Sequence, residues 1–380
     1  MRILHIINDL GVGGAEMMLL RLLSATDRSR LEPAVISLRS GAVMTELVPR
    51  IQAMGIEVST LALDRAATPL ALLRLTRQIR GLRPDLVQTW MYHADLIGGL
   101  AARLVTQAPI VWGLHNSDLD KSRARRSTRA IARTCAVLSH RVPTRIVSCS
   151  EVAARMHRAL GYDADKFVVI PNGIDTAAFR PDSEAYDGLR KELGIPPETL
   201  LVGILARYHP QKDHQNFVRA AAIVGHRYPG VHFMLVGADC DGENDSLVRW
   251  IAATGFADRF HLLGKRHDMP RVSAALDVAV TASAYGEAFP LVIGEAMSAG
   301  VPCAVTDVGD SAMMVAETGR VAPPRDAPAL ADAVSALLAL TPGERLALGA
   351  AARERIREHF SLPAVAARYQ ALYEGLAGGG

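Results

Sequence analysis

The sequence predicts an α/β protein of two Rossmann-like, doubly wound domains facing a central cleft. Three observations carry this. Short apolar runs alternate with helical patterns through the first half. A polar break with three prolines follows at 176–198. The alternation then restarts at 199. Continuous apolar strands joined by helices imply a parallel sheet covered on both faces. Such sheets bind ligands beyond the carboxyl ends of their strands. A length of 380 residues is long for one core and agrees with two domains.

The first half, 1–175, contains "PAVISL", "GIEVSTLAL", "DLVQTW", "APIVWGLH", "RIVSCS" and "FVVIPNG" as buried strands. Amphipathic segments such as "PLALLRLTRQIRGL" and "ADLIGGLAARLV" lie between them. Residues 176–198 read as a linker with a short helix at most. The second domain, 199–355, alternates "LLVGILA", "VHFMLVG", "FHLLG", "DVAVTAS", "PCAVTDVG" and "GRVAP" with helices. A terminal helix over 356–380 ends in "GLAGGG", which is expected to fray.

Composition narrows the function. Hydrophobic residues make up 49% and charged residues 21%, as in ordinary globular proteins. A net charge of +3 does not imply nucleic acid. Cys135, Cys149, Cys240 and Cys303 show no C-x-x-C spacing, against a zinc site or disulfide framework and in favour of a reducing cytoplasmic setting. The first apolar run, Ile3 to Ile7, is shorter than a signal-peptide core of ~7–15 residues. No segment approaches the ~20 apolar residues needed to span a membrane.

Two regions carry chemistry. The turn after the first strand reads "GVGGAE". Gly11 and Gly13 begin a dinucleotide fingerprint, but Glu16 stands where the third glycine belongs. Three glycines near a cleft instead suit close approach of a ligand to backbone. In the second half, Arg207 leaves a strand and Lys212 precedes a helix capped by Asp213. Two cations beside a helix amino terminus suit a diphosphate, although solvated surface cations would look the same. In "YGEAFPLVIGEAMSAG", Pro290 opens a helix that stops at Gly300, and Glu287 and Glu295 flank its amino terminus. Amides at Phe289, Leu291 and Val292 would meet phosphate, and the carboxylates would take sugar and ribose hydroxyls. Phosphate between two hydroxyl-bearing groups describes a nucleotide-sugar. The alternative is a buried helix with Glu295 as a satisfied polar residue. "DCDGEND" at 239–245 has D-x-D spacing but lacks the glycine and glutamate positions of a calcium loop, so no metal is expected.

These motifs resemble glycosyltransferase family 4, of retaining type with the GT-B fold, over nearly the whole chain. E-x7-E at Glu287 and Glu295, "PNGID" at 171–175, "GILARYHPQKD" and "GGAE" match in order and spacing. The resemblance implies that 1–175 faces the acceptor, that 199–355 binds the donor and that 356–380 packs toward the first domain. It implies catalytic roles for His115, Arg207, Lys212 and Glu287. It implies donor contacts from Gly13, Gly14, Phe289, Pro290, Leu291 and Glu295, with Lys265 near the base. His93 and Asn116 become acceptor-side candidates, with Asp95 weaker. Ala288 departs from a common glycine, so relatives do not indicate the donor sugar.

The expected function is metal-independent, retaining transfer from a UDP- or GDP-sugar, with no cofactor. The expected acceptor is a saccharide or lipid-linked saccharide in exopolysaccharide, capsule or lipopolysaccharide assembly. The alternatives are an epimerase of similar fold, a non-catalytic nucleotide-sugar-binding protein and, last, an NAD(P) oxidoreductase. The basic stretch 121–145 runs from Lys121 through Arg123, Arg125, Arg126, Arg129, Arg133 and Arg141 to Arg145. It reads as a solvated face or as a contact with anionic membrane, which would place the protein at the inner face of the cytoplasmic membrane. No nucleic-acid motif is present. Gly14→Val is expected to block turnover by bulk while leaving the fold intact.

Overall fold

The computed structural model describes the chain except residues 12, 42–44, 63–68, 117–118, 120–124 and 379–380, and the side chain of residue 69. Two compact units emerge: Met1–Gly173 with Leu362–Gly380, and Ile174–Ser361.

The first unit runs β1 (Arg2–Ile7), α1 (Gly14–Ala25), β2 (Glu32–Ser37), α2 (Val48–Ala53), β3 (Glu57–Thr60), α3 (Pro69–Leu82), β4 (Leu86–Trp90), α4 (Met91–Val105), β5 (Ile110–Leu114), α5 (Arg126–Ser139), β6 (Arg145–Ser148), α6 (Glu151–Ala159) and β7 (Phe167–Val169). Among the described residues its sheet has seven parallel strands in the order β3-β2-β1-β4-β5-β6-β7. Every residue of β4 and β5 is buried, as expected for central strands covered on both faces.

The second unit runs α7 (Ser183–Leu193), β8 (Leu201–Leu205), α8 (His214–Arg227), β9 (His232–Val236), α9 (Asp245–Ala252), β10 (Phe260–Leu262), α10 (Met269–Ala274), β11 (Val278–Thr281), α11 (Leu291–Ser298), β12 (Cys303–Thr306), α12 (Ser311–Val315), β13 (Arg320–Ala322), α13 (Ala327–Leu338) and α14 (Pro342–His359). Its six parallel strands are ordered β10-β9-β8-β11-β12-β13. The order reverses between β1 and β4 in one sheet and between β8 and β11 in the other. The crevices at these switch points are where doubly wound sheets take ligands.

The boundaries differ from those expected at 175, 198 and 355. The segment 176–198 is not a bare linker. Asp182 caps α7 by accepting from Ala185 N at 3.0 Å, and Ala185, Leu189 and Ile195 enter the second unit's core. Arg190, 1% exposed, ties α7 down: it donates to Asp277 Oδ2 at 2.6 Å and to Ala275 O at 2.8 Å. Arg266 and Arg271 both donate to Glu192 of α7, at 2.6 and 2.7 Å. The polar composition of the segment hides these few anchoring positions.

At the other end, α14 belongs to the second unit, and the chain returns to the first at 361–362 rather than 355–356. The last helix, α15 (Leu362–Ala377), then completes the first unit. Its Val365, Tyr369 and Tyr373 pack with Met18 and Trp90. Burying each such side chain contributes about 1.5–3 kcal/mol, enough together to hold one helix. Tyr373 Oη donates to Gln88 Oε1 at 3.3 Å, and Arg30 pairs with Glu374 at 2.8 Å.

Burial sets an acid limit on the fold. Desolvation lowers His5 to about 3 and His115, His157, His214 and His261 to about 4. Unfolded histidine titrates near ~6.5, so the unfolded chain binds more protons between that value and about 4. Each of these groups therefore removes stability as pH falls through that window. Asp95 and Glu16, both raised chiefly by burial, act in the opposite direction. Five groups outweigh two, so the unfolding midpoint is expected to be lower at pH 4.5 than at pH 7. A midpoint that rises on acidification would contradict this balance.

Candidate active site

The second unit assembles its candidate site at the β8–β11 switch point. After β8 the chain leaves the sheet at Ala206 and Arg207, and Arg207 is exposed. Gly237, at φ 156°, lies against this turn; a Cβ there would strike the Ala206 carbonyl. A short 3₁₀ turn, Pro210–Lys212, follows. Asp213 then adopts a left-handed conformation, φ 47°, and caps α8 by accepting from Asn216 N at 3.2 Å.

The loop after β11 meets this turn. Gln211 binds it twice, donating Nε2–H to Gly286 O at 3.0 Å and accepting from Ala284 N at 2.8 Å. Gly286, at φ 74°, turns the chain so that Glu287 points inward. Glu287 Oε1 accepts from Lys212 Nζ at 2.5 Å and from Ser283 Oγ at 2.7 Å. Gly309, at φ 66°, supports the loop from behind; any Cβ would collide with the Glu287 carbonyl. Asp310 N also donates to Ala288 O at 3.0 Å.

Pro290 is the N-cap of α11, and no side chain caps that helix. Ile293 N donates to Pro290 O at 3.1 Å, while no side-chain cap engages the amides of Leu291 and Val292. An uncapped helix start carries partial positive charge that suits an anion. Phe289 enters the site only through its backbone, because its ring packs against Phe360 at 5.5 Å between centroids. Glu295 lies one turn into α11 and is partly exposed. Lys265 is exposed beyond β10, after Gly264 at φ 58°. The local potential is positive: burial first, then the charges of Arg207 and Lys212, lower the His209 imidazole.

Of the candidates Arg207, Lys212, Glu287 and Glu295 read from the sequence, the structure brings Lys212 and Glu287 into direct contact. Sequence reasoning missed Gln211, Ser283 and Gly309. Ser283 sits four residues before Glu287 in "SAYGE", the one local signal available for it. Asp239 and Asp241 of the acidic loop serve its own turns: Asp239 O accepts from Asn244 Nδ2, and Asp241 Oδ1 accepts from Glu243 N. Among the described residues no group of three His, Cys, Asp or Glu is arranged to hold a metal.

The first unit presents its own candidates at strand carboxyl ends. His115 follows β5 and stacks on Trp90, with ring centroids 5.1 Å apart at 18°. The residue is partly exposed, yet both ring nitrogens are buried, as is Asn172 Oδ1 within "PNGID". Burial lowers the His115 pKa to about 4, while an interaction with the Asn172 side chain raises it, so the ring is neutral at pH 7.

His93 is exposed near the start of α4, just after Met91 at φ 71°. A non-glycine residue in that region costs on the order of 1–3 kcal/mol, and such strain clusters at functional sites. Asn116 contacts the Tyr92 hydroxyl. Asp95 is not an acceptor contact: it is fully buried and accepts from Thr89 Oγ1 at 2.5 Å.

The opening glycines separate into two roles. Gly13 is the N-cap of α1, and a Cβ there would overlap the Glu16 carboxylate. Gly14 meets nothing within 4 Å. The Gly13 overlap is with the far end of a flexible side chain, which can turn aside, and Gly14 leaves open space for a side chain.

Two family models match the chain. "Glycosyltransferase Family 4" covers residues 12–178, and "Glycosyl transferases group 1" covers 197–340. The chain is 29% identical over 250 residues to the UDP-Gal:alpha-D-GlcNAc-diphosphoundecaprenol alpha-1,3-galactosyltransferase of Escherichia coli, covering 64% of this chain and 63% of that enzyme. It is 31% identical over 241 residues to the lipopolysaccharide core biosynthesis mannosyltransferase LpsB of Rhizobium meliloti, covering 59% and 65%. Among solved structures, Anabaena Alr3699/HepE in complex with UDP superposes with a TM-score of 0.86 at 23% identity, covering 99% of this chain and all of that one. The chain belongs to glycosyltransferase family 4 and has the GT-B fold.

Proposed function

We propose that the protein is a retaining glycosyltransferase that moves a sugar from a UDP- or GDP-sugar to a hydroxyl of a saccharide or lipid-linked saccharide. The observation that carries this reading is the Lys212–Glu287 pair beside the uncapped start of α11. The diphosphate would lie against Arg207, Lys212 and the amides of Leu291 and Val292. Glu287 would meet sugar hydroxyls, Glu295 the ribose, and Lys265 the region of the base. Gly13 and Gly14 would let backbone approach donor phosphate or acceptor. His115, neutral at pH 7, would hydrogen-bond the donor sugar or the attacking hydroxyl, with His93 and Asn116 on the acceptor side.

Transfer breaks the bond from the anomeric carbon to the phosphate oxygen and forms one to the acceptor oxygen on the same face. The acceptor proton passes to the departing phosphate. Negative charge grows on the diphosphate as that bond breaks. Fixed cations and helix amides stabilise it in place of a metal ion. The E. coli relative's name specifies a diphosphoundecaprenol-linked acceptor, which supports assembly of a surface or exported polysaccharide. The proposed setting is the cytoplasm at the inner face of the membrane, with basic residues of 121–145 as the contact, of which 121–124 lie outside the described residues. Among the described residues no helix is long and apolar enough to cross a membrane.

The test is thermal stabilisation by a panel of nucleotide-sugars, followed by an assay of nucleoside diphosphate release with EDTA present. One donor should stabilise the fold and turn over in EDTA. No stabilisation by any donor would overturn the transferase reading. Loss of turnover in EDTA would overturn metal independence. Sugar isomerisation without an acceptor would identify an epimerase.

A further inference from the structure

The second unit holds a cavity that the candidate site does not use. The candidate site lies beyond the carboxyl ends of β8 and β11. This cavity, of about 980 Å³, lies at their amino ends. Leu200 precedes β8, Asp277 precedes β11 and Pro302 precedes β12, and all three line it. The strands are parallel, so the two sites occupy opposite ends of one sheet. The walls come from α7, α14 and the carboxyl ends of α11 and α13. Small-molecule sites are ordinarily clefts of roughly 300–1,000 Å³ with apolar walls and a few placed polar groups.

The apolar walls are Leu200, Leu276, Val301, Leu338 and Leu340. Along α14, Leu346, Ala350 and Glu354 follow at helical spacing and are exposed at the open side. One cation stands among these groups. The Arg345 side chain is 11% exposed. A guanidinium so buried is ordinarily paired. Arg345 donates to Leu340 O at 3.1 Å and reaches Asp277 Oδ1 at 4.0 Å. Asp277 is already engaged, by Arg190 at 2.6 Å and Leu201 N at 2.8 Å. Among the described residues no other acceptor is hydrogen-bonded to the Arg345 guanidinium, which keeps N–H donors for an occupant. The other charges at the cavity are engaged or exposed. Arg353 donates to the carbonyls of Thr176, Phe179 and Ser298. Asp182 caps α7, Glu354 pairs with Arg357 at 3.1 Å, and Glu198 is exposed.

We propose that this cavity binds a small amphipathic anion, an apolar body carrying one carboxylate. The carboxylate takes the unspent donors of Arg345, whose planar fork matches it in bidentate fashion. The apolar body lies against the leucines and Val301. A neutral apolar molecule would leave the guanidinium without an acceptor. A wholly polar anion would gain nothing from the walls. The inference goes beyond the transferase reading and does not rest on it, because neither nucleotide nor acceptor enters the binding measurement.

The experiment is fluorescence titration of the full chain with 1-anilinonaphthalene-8-sulfonate, an aromatic body with one anionic group. Displacement by octanoate and by octanol follows, both below their aggregation range. The dye should saturate a single site per chain, and octanoate should displace it far better than octanol. Arg345→Gln should weaken octanoate roughly tenfold or more, the size of one charge-assisted contact, and leave octanol unchanged. Ala350→Trp, at an exposed position of α14, should block the dye and octanoate alike with the thermal midpoint unchanged. This second variant decides the matter if Arg345→Gln does not fold. Binding of the dye without saturation, equal displacement by octanol, displacement by UDP, or wild-type binding by Ala350→Trp would overturn the proposal. So would a dimer that closes this face and excludes the dye.

Discussion

Lys212→Ala is expected to lower kcat/KM by about 10²–10³-fold, the effect of removing one preorganised group that stabilises developing charge. Two losses combine. The ammonium leaves the place where the diphosphate would develop charge. The Glu287 carboxylate, its side chain 10% exposed, also loses the partner held at 2.5 Å. Local charge then falls by one unit, leaving Arg207 as the remaining cation beside the Glu287 carboxylate, so the variant holds phosphate less well. Ser283 still donates to the same oxygen, which limits the structural damage. Lys212→Ala combined with Glu287→Gln removes the stranded charge. That pair should recover part of the nucleotide affinity without recovering turnover. Steady-state kinetics and calorimetric titration with the nucleoside diphosphate separate the two effects. Full activity in Lys212→Ala would remove the diphosphate assignment.

Arg190→Met is expected to destabilise the second unit by about 3–5 kcal/mol, as for breaking one side of a buried ion pair. Its guanidinium bonds Asp277 and the carbonyls of Ala275 and Thr199, and lies 3.2 Å from the centre of the Tyr186 ring. Methionine fills part of the volume and satisfies none of these acceptors. Asp277 would keep hydrogen bonds from Leu201 N and Tyr186 Oη and a longer ion pair with Arg345 at 4.0 Å, which places the cost toward the lower end of that range. The cost should shrink when Asp277→Asn is added, because the two residues are coupled. Scanning calorimetry reads this on the second unit's transition. If residues 176–198 were only a linker, Arg190→Met would leave that transition unchanged.

The comparison between sequence and structure turns on reach along the chain. The strands were legible because fully buried runs such as "LVQTW" and "IVWGL" allow little else, and α3 occupies the segment its periodicity predicts. Glu287 and Glu295 were legible because eight residues of loop and helix fix their spacing. The Lys212–Glu287 contact joins residues 75 apart, and no local pattern announces it. Gly309 presses on Glu287 from a different strand's loop and was invisible for the same reason. Arg190 reads in sequence as one more surface charge. Only the fold shows that α7 buries it.

The central claim is that a nucleoside diphosphate binds at the β8–β11 switch point. Isothermal titration of UDP and GDP tests it most directly, on the wild-type chain, Arg207→Ala and Glu295→Ala. One nucleotide should bind with a single site per chain and lose roughly tenfold or more in affinity in each variant, the size of one lost charge-assisted contact. Unchanged affinity in both variants, or no binding of either nucleotide to the wild type, would contradict the account.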